Sequence, residues 1–431
     1  MHAPQILPRR AGRVPKPAQR APRRWFSFLG AGAMVAVGYM DPGNWATDLS
    51  AGAQFGYRLL SVVLIASFAG MLLQWMASRL GLVSGRDLAQ LCRERCTPRV
   101  ARLLWIAAEV AIIACDVAEV VGSAVALQLL LGVSLSVGVL LSALGTIALL
   151  SLRRLGARAV EIAVTALILF VAASLAAQLA LAHPDWQSIQ TGLRPSPELL
   201  RHAGMIWLAA GILGATVMPH NLYLHSALVK NHVPHGEASE IRRALRGINL
   251  DTVGALAFAF LVNAGLLVVA AAVFHAAGRT SLDDLSDAHR LLAPLVGAHW
   301  AAPLFAAALL ACGLNSTVTG TLAGQVVMEG FTRLRVSPMR RALLTRALAL
   351  TPALLAVACF GDGGSNRLLV GSQVVLSMQL PLAIIPMIRF ASDRRLMGAW
   401  AVRGTPLATV WLFTAALVLL NLTLLLQPLL A

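Results

Sequence analysis

Charged residues are scarce in this sequence. They make up 13% of 431 residues, and only two of them, Lys16 and Lys230, are lysines. Soluble globular domains carry roughly 25% charged residues, and this chain is 58% hydrophobic, so we predict an integral membrane protein. Neither lysine follows the Gly-x-x-x-x-Gly pattern of a phosphate-binding loop, which excludes an ATP-driven pump.

Cysteine is scarce as well, with five in the whole chain. All five fall in predicted membrane spans or in predicted cytoplasmic segments, so no disulfide framework is expected. Cys92 and Cys96 have the i, i+4 spacing of a helix. No second Cys/His pair accompanies them, so free thiols are favoured over a metal clip.

Acidic residues are absent from the first 24 positions, which hold seven Arg and Lys residues among several prolines. This composition predicts a disordered cytoplasmic tail at 1–24 that is attracted to anionic lipid. No cleavable signal peptide is expected, because the first apolar segment is long and is interrupted by an acidic residue.

Long apolar segments fill the rest of the chain. We predict eleven spans at approximately 27–55, 57–78, 103–130, 134–151, 159–181, 203–229, 248–276, 296–328, 342–360, 367–389 and 406–428. In this arrangement 29 of the 35 Lys and Arg residues lie on the side of the N-terminus and 6 on the other. The positive-inside rule then predicts a cytoplasmic N-terminus and an external C-terminus. Because the basic residues sort to one side of the membrane, the net charge of +16 indicates an oriented membrane protein and not a nucleic-acid-binding protein.

The first apolar segment is interrupted by Asp41, Pro42 and Gly43. An aspartate at the bilayer centre costs roughly 2.5–3.5 kcal/mol on insertion scales, and the two helix breakers release backbone groups that lipid cannot satisfy. A similar interruption recurs at Met218-Pro219-His220-Asn221. Paired interrupted helices in two halves of a chain indicate the binding site of a secondary transporter.

The two interruptions supply ligands for a cation. Each half-helix that stops in the membrane leaves carbonyls without donors and presents the negative end of its dipole. We expect these carbonyls at Gly38 and at Ala215 or Thr216. The Asp41 carboxylate, the Asn44 amide oxygen and the Met218 thioether complete the set. Mg²⁺ and Ca²⁺ prefer oxygen alone, whereas a thioether favours softer first-row ions, so the residues predict a transition-metal site.

Other interpretations remain open for single residues. Asn44 is also a residue type that caps helices, and a buried methionine such as Met218 often only packs. His220 is either a hydrogen-bonded core histidine or a proton carrier beside the break. Asp41 has no comparable alternative at this depth in the membrane.

Motifs in both halves resemble those of the Nramp family, the natural resistance-associated macrophage proteins. The resemblance rests on Asp41-Pro42-Gly43-Asn44, Met218-Pro219-His220, Asp116-Val117-Ala118-Glu119, Asn263 and Gly371-Ser372-Gln373-Val374-Val375-Leu376-Ser377. It implies an all-α leucine-transporter-like fold with two inverted five-helix repeats and one added helix. The implied segments are the tail 1–24, a first repeat 25–182, an external connector 183–202, a second repeat 203–390, and a cytoplasmic loop with helix 11 at 391–431.

The resemblance also implies Mn²⁺ or Fe²⁺ import coupled to protons. Metal would be bound by Asp41, Asn44, Met218, the carbonyls of Gly38 and Ala215, and Gln373. Protons would pass by His220, Glu119 and Asp116, with Arg346 as ionic partner. Gly38 departs from the alanine expected in the family at that position, which leaves its carbonyl on a more flexible backbone.

Two other functions compete with metal import. One is a symporter of the same fold for an amino acid or another organic substrate, and the other is a metal sensor that does not translocate. We expect a transporter rather than an enzyme, without a resident cofactor, acting as a monomer in a bacterial cytoplasmic membrane.

Overall fold

The computed structural model describes residues 30–151, 157–230, 238–280, 285–334, 337–360 and 365–430. Within these residues the chain is helical and contains no β-strand. The α-helices of this part are α1 (Ala31–Gly38), α2 (Pro42–Phe55), α3 (Leu60–Ser84), α4 (Leu88–Arg95), α5 (Pro98–Leu131), α6 (Leu135–Ser151), α7 (Ala157–Ala182), α8 (Trp186–Gly192), α9 (Ala203–Thr216), α10 (Pro219–Lys230), α11 (Ala238–Ala270), α12 (Leu285–Val296), α13 (Ala301–Thr332), α14 (Pro338–Phe360), α15 (Ser365–Ser392), α16 (Arg394–Met397) and α17 (Thr405–Leu430). The predicted tail 1–24 lies outside the described residues.

Both predicted interruptions are confirmed. The first separates α1 from α2, and the second separates α9 from α10. Pro42 and Pro219 each occupy the first position of the following helix. Proline suits that position because its fixed φ is helical and because the first N–H groups of a helix have no intrahelical acceptor.

Among the residues that the structure describes, eight helical stretches are long and apolar enough to cross a membrane. They are Pro42–Ser84, Pro98–Leu131, Ile162–Ala182, Ala203–Lys230, Ala238–His275, Ala301–Thr332, Ser365–Ser392 and Thr405–Leu426. Pro42–Ser84 joins α2 and α3 and so contains parts of two predicted spans. Leu135–Leu149 and Leu343–Leu355 are shorter apolar helices at two further predicted positions. The count of eleven spans and their orientation stay predictions.

Two predicted connections contain helices of their own. The basic segment 79–102 includes the end of α3, the whole of α4 and the start of α5. The connector 183–202 includes α8 and a short 3₁₀ turn. The predicted repeat boundaries are not altered by these helices, and they stay predictions.

The two broken helix pairs lie side by side in the centre. α2 packs against α9, α1 packs against α10, and α3, α5, α11, α13 and α15 surround them. Glycines allow the closest approaches: a Cβ on Gly122 would lie 2.2 Å from the Pro42 side chain, and one on Gly214 would lie 1.8 Å from the Gln373 carbonyl oxygen. Small residues at helix contacts are typical of membrane proteins. Large apolar side chains such as Phe68 and Leu412 point outward, with 62% and 73% exposure, as expected for a surface that faces lipid.

Candidate metal site at the helix breaks

Asp41 caps the second half of the first broken helix. Its Oδ1 accepts a hydrogen bond from the Asn44 N–H at 2.8 Å, and its backbone is extended. The cap is therefore Asp41, and the alternative that Asn44 serves as N-cap is wrong. The side chain is fully buried, and its Oδ2 has no hydrogen-bond partner among the described residues. One carboxylate oxygen thus holds the helix, and the other is available to a cation.

The two prolines each remove the donor for one carbonyl. In an α-helix the N–H of residue i+4 donates to the carbonyl of residue i, and proline has no N–H. Pro42 therefore leaves the Gly38 carbonyl without its helical donor, and Pro219 does the same for Ala215. Both predicted carbonyl ligands therefore lack a helical donor for the same reason, which is a proline four residues later in the chain.

The Asn44 amide connects the two breaks. When it is oriented to satisfy its neighbours, its nitrogen lies 2.6 Å from Asp41 Oδ1 and 3.3 Å from the Ala215 carbonyl oxygen. Its oxygen then accepts from Asn263 Nδ2 at 2.9 Å. Asn263 Nδ2 also lies 2.9 Å from the carbonyl oxygen of Tyr39. Of the two carbonyls predicted at the end of α9, that of Ala215 is the one that approaches Asn44.

Asn221 forms a second connection between the breaks. Its Nδ2 lies 3.6 Å from the Met218 sulfur and donates to it. A Cβ on Gly38 would lie 2.4 Å from the same nitrogen. The glycine that departs from the expected alanine is therefore the residue against which Asn221 packs. Met218 is fully buried and contacts Cys115 and Leu376.

Gln373 reaches the first break from α15. It is fully buried, its Nε2 donates to Ser372 Oγ at 3.0 Å, and its Oε1 has no partner among the described residues. A Cβ on Gly43 would lie only 2.1 Å from Nε2. Gly43 is thus required for the close approach of Gln373 to the break.

These groups form a site with one carboxylate and several neutral acceptors. The unpartnered buried oxygens near the breaks include Asp41 Oδ2, Asn221 Oδ1, Asn263 Oδ1 and Gln373 Oε1. In the described residues, no group of three or more His, Cys, Asp and Glu side chains is placed to hold a metal. A cation here would depend on amide, carbonyl and thioether donors beside Asp41, a mixed donor set that fits a first-row divalent ion.

The residues predicted for proton movement lie on α5 and α10. Glu119 accepts from Thr317 Oγ1 at 3.0 Å, and the Cys115 sulfur lies 3.8 Å from Glu119 Oε1. Because Cys115 belongs to the same buried apolar cluster as Met218, Glu119 lies close to the second break. Asp116 is buried one turn away on the same helix.

His220 is buried on α10, and its Nδ1 is unpartnered among the described atoms. Arg346 belongs to α14, but its side chain lies outside the described part of the structure. The predicted ionic partner of the acidic residues on α5 is therefore an expectation.

Sequence reasoning missed two buried polar features. Asp48 lies on α2, one turn beyond Asn44, and its Oδ2 has no partner among the described residues. Asp48 could have been recognised in the sequence, because it is a second aspartate in an apolar stretch. The other feature is a chain of hydrogen bonds through Tyr39, Gln74 and His225: Gln74 Nε2 donates to Tyr39 Oη at 3.0 Å, and Gln74 Oε1 lies 3.0 Å from His225 Nδ1.

The chain is similar to known proteins along most of its length. Residues 32–427 match the natural resistance-associated macrophage protein-like family, Nramp. The chain is 51% identical to the Divalent metal cation transporter MntH 1 of Pseudomonas aeruginosa, over 96% of this chain and 94% of that protein. It is 50% identical to the Divalent metal cation transporter MntH of Xanthomonas campestris, over 93% and 91%.

Solved structures show the same fold. A crystal structure of the Eremococcus coleocola manganese transporter, in complex with an aromatic bis-isothiourea substituted compound, superposes with a TM-score of 0.83 at 38% identity. The match covers 92% of this chain and 86% of the manganese transporter chain. The nucleobase-cation-symport-1 family transporter Mhp1, in a closed conformation, is similar with a TM-score of 0.59 at 15% identity over 95% and 94%. At that identity the likeness concerns the fold alone.

Proposed function

This chain belongs to the natural resistance-associated macrophage protein (Nramp) family, and from that premise we propose that it imports divalent transition metal ions, Mn²⁺ or Fe²⁺, together with protons. The family consists of transporters, so the protein is not an enzyme. It is a multi-pass protein of the bacterial inner membrane with a leucine-transporter-like fold. The proposed cycle is alternating access, in which the central site opens to one side of the membrane at a time.

One observation carries the proposal: an unpartnered Asp41 oxygen and two proline-exposed carbonyls lie where two half-helices meet, beside a buried thioether. A divalent cation entering this site gains a full negative charge from Asp41 and partial charges from Gly38 and Ala215. The Asn44 nitrogen lies between Asp41 and Ala215 and its oxygen accepts from Asn263, so in the proposed cycle the amide rotates when the ion binds and its oxygen then faces the ion. Gln373 Oε1, which has no partner among the described residues, closes the site from α15.

Met218 provides selectivity in this proposal. Its sulfur accepts only a long hydrogen bond from Asn221, so a metal that displaces the bond loses little. Thioether sulfur binds softer first-row ions and adds little to Ca²⁺ or Mg²⁺. The abundant hard cations therefore compete poorly for the site while Met218 is present.

Protons follow the acidic residues of α5 in the proposed cycle. Metal binding displaces any proton held by Asp41, and the proton passes by His220 and Glu119 toward Asp116. The contacts that support this path are those of Cys115, which joins Met218 to Glu119, and the unpartnered Nδ1 of His220. Arg346 is the proposed ionic partner at the far end.

The N-terminus of α2 argues against an organic substrate. Symporters of amino acids direct the positive ends of half-helices at the substrate carboxylate. In this protein the Asn44 N–H at the start of α2 already donates to Asp41. The position that would receive a substrate carboxylate is occupied by the protein's own carboxylate.

Uptake into proteoliposomes tests the proposal. We expect wild type to import Mn²⁺ with acidification of the lumen, reported by a trapped pH dye, and to resist excess external Ca²⁺. Met218→Ala should lose the resistance to Ca²⁺. Met205→Ala is a matched control, because Met205 is also buried on the same broken helix and lies about 20 Å along the chain direction from Met218. Absence of Mn²⁺ uptake by wild type would favour the organic-substrate symporter.

A further inference from the structure

Two thiols lie together at the end of α4, away from the metal site. Cys92 is in the last turn of α4, and Cys96 is the residue that ends it. The Cys96 N–H donates to the Cys92 carbonyl at 3.0 Å, so the two residues keep helical spacing. Their Cα atoms are then about 6 Å apart, within the range that a disulfide spans.

The environments of the two thiols differ. Cys92 is fully buried, whereas Cys96 is partly exposed and lines a groove of about 670 Å³. Arg95, Arg389 and Asp393 line the same groove. A partly exposed thiol with a neighbouring cation and a second thiol beside it is the arrangement found at oxidation-sensitive cysteines.

The two thiols differ in acidity. The neighbouring Cys92 thiol lowers the pKa of Cys96 to about 7, and the charge of Arg389 contributes. The neighbouring Cys96 thiol, followed by burial and the charges of Cys96 and Asp87, raises the pKa of Cys92. Above pH 7 the reactive thiolate is therefore mainly on Cys96, and the proton stays on Cys92.

We propose that Cys92 and Cys96 form a peroxide-sensitive thiol pair whose disulfide slows transport. Cys96 is the oxidised thiol, and Cys92 is the resolving thiol. In the described residues no third His, Cys, Asp or Glu side chain completes a metal cluster here.

The oxidant is a hydroperoxide. The Cys96 thiolate attacks the terminal peroxide oxygen, the O–O bond breaks, and the other oxygen leaves as an alcohol or water after taking up a proton. Cys96 is then a sulfenic acid. The Cys92 sulfur attacks the Cys96 sulfur, the S–S bond forms, and the S–O bond breaks with release of water that carries the Cys92 proton. The two thiols lose two electrons, and the peroxide gains them.

The contacts of α4 explain an effect on transport. The Leu88 N–H donates to Ser226 Oγ on α10 at 3.0 Å, and Arg93 donates to the Gly330 carbonyl on α13. α4 thus ties the second broken helix to α13. A disulfide would lock the last turn of α4, which the Cys96 N–H already closes on the Cys92 carbonyl, so this end of α4 could not unwind. An opening that moves α10 away from α13 and needs α4 to unwind there would then be slowed.

Formation of the disulfide is tested on the full-length purified protein with graded hydrogen peroxide and mass spectrometry of the peptide that contains both thiols. Wild type should yield the internal disulfide, reversible with dithiothreitol. Cys92→Ser should instead stop at a sulfenic acid on Cys96, trapped by dimedone, and Cys96→Ser should leave Cys92 unmodified. Equal reaction at the buried Cys312, or an unmodified Cys96 in wild type, would overturn the assignment.

The effect on transport rests on the proposed function and is measured separately. Peroxide should lower Mn²⁺ uptake by wild type severalfold, and dithiothreitol should restore it without any substitution. Cys96→Ser should keep its uptake in peroxide. A disulfide without change in uptake would overturn the restraint of α4, whereas absence of uptake before oxidation would overturn the proposed function and leave the disulfide result standing.

Discussion

Gly43→Ala tests whether Gln373 closes the metal site. The added Cβ would lie 2.1 Å from Gln373 Nε2, 2.3 Å from Cδ and 2.9 Å from Cγ. Non-bonded carbon atoms prefer separations of about 3.5–4.0 Å, so the whole end of the side chain has to move. Gln373 has little room to retreat, because its side chain is fully buried.

The expected magnitude follows from two opposing effects. Overpacking of this kind typically costs about 1–3 kcal/mol. Alanine in place of glycine within a helix gains roughly 0.5–1 kcal/mol. The substitution therefore destabilises the state in which Gln373 contacts α2 by about 1–2 kcal/mol. One to two kcal/mol changes a population about 5–30-fold, and we expect Mn²⁺ uptake to fall in that range.

The matched control is Gly254→Ala. Gly254 lies within α11, and a Cβ there would have no heavy atom within 4 Å. This variant should keep wild-type uptake and a wild-type thermal midpoint. Uptake by both variants would be measured in proteoliposomes with equal amounts of folded protein. Equal rates for Gly43→Ala and Gly254→Ala would refute the role of the Gly43–Gln373 contact in closing the site.

Three further substitutions give separate tests. Asp48→Asn should raise the KM for Mn²⁺ uptake and leave the maximal rate unchanged, because it removes a buried carboxyl oxygen one turn from Asn44 that has no partner among the described residues and can contact an arriving cation; a fall in maximal rate alone would contradict this role. Gly38→Ala should keep near wild-type uptake, because the three heavy atoms nearest to the added Cβ all belong to the end of the Asn221 side chain, which can rotate; loss of uptake would show that Asn221 cannot move. Lys230→Met should lower the free energy of unfolding by about 3–5 kcal/mol, and with it the thermal midpoint, because Asp87 is buried and ion-paired with Lys230; an unchanged midpoint would show that the pair is not needed.

The breaks could be predicted from sequence because their cause is local. Pro42 and Pro219 remove backbone donors wherever they occur in a helix, and lipid cannot replace those donors. Asp41 could be recognised by its cost in the membrane. These effects require no knowledge of the neighbouring helices, and the structure has both breaks at the predicted residues.

The connections between the amide groups could not be predicted in the same way. From the sequence, Asn44 could either cap α2 or bind a cation, and in the structure Asp41 is the cap. The contact of Asn221 with both Gly38 and Met218 depends on how α1 and α10 pack, which no spacing reveals. α4 was different, since Asp87 and Gln90 form a capping box that is readable in the sequence. The helix was not predicted there, because the basic charges of the segment indicated a connection between spans.

The number of carboxylates at the breaks fits release as well as binding. A divalent ion beside Asp41 keeps a net positive charge, because the other proposed ligands are neutral carbonyl, amide and thioether groups. Conduction requires binding that is favourable enough to admit an ion and weak enough to let it leave. Each proline exposes a proposed carbonyl ligand by removing a donor, so in the proposed site affinity increases without a second charge. The same two prolines divide the helices into halves, so in the proposed cycle the residues that expose the ligands also permit the separate tilting that releases the metal.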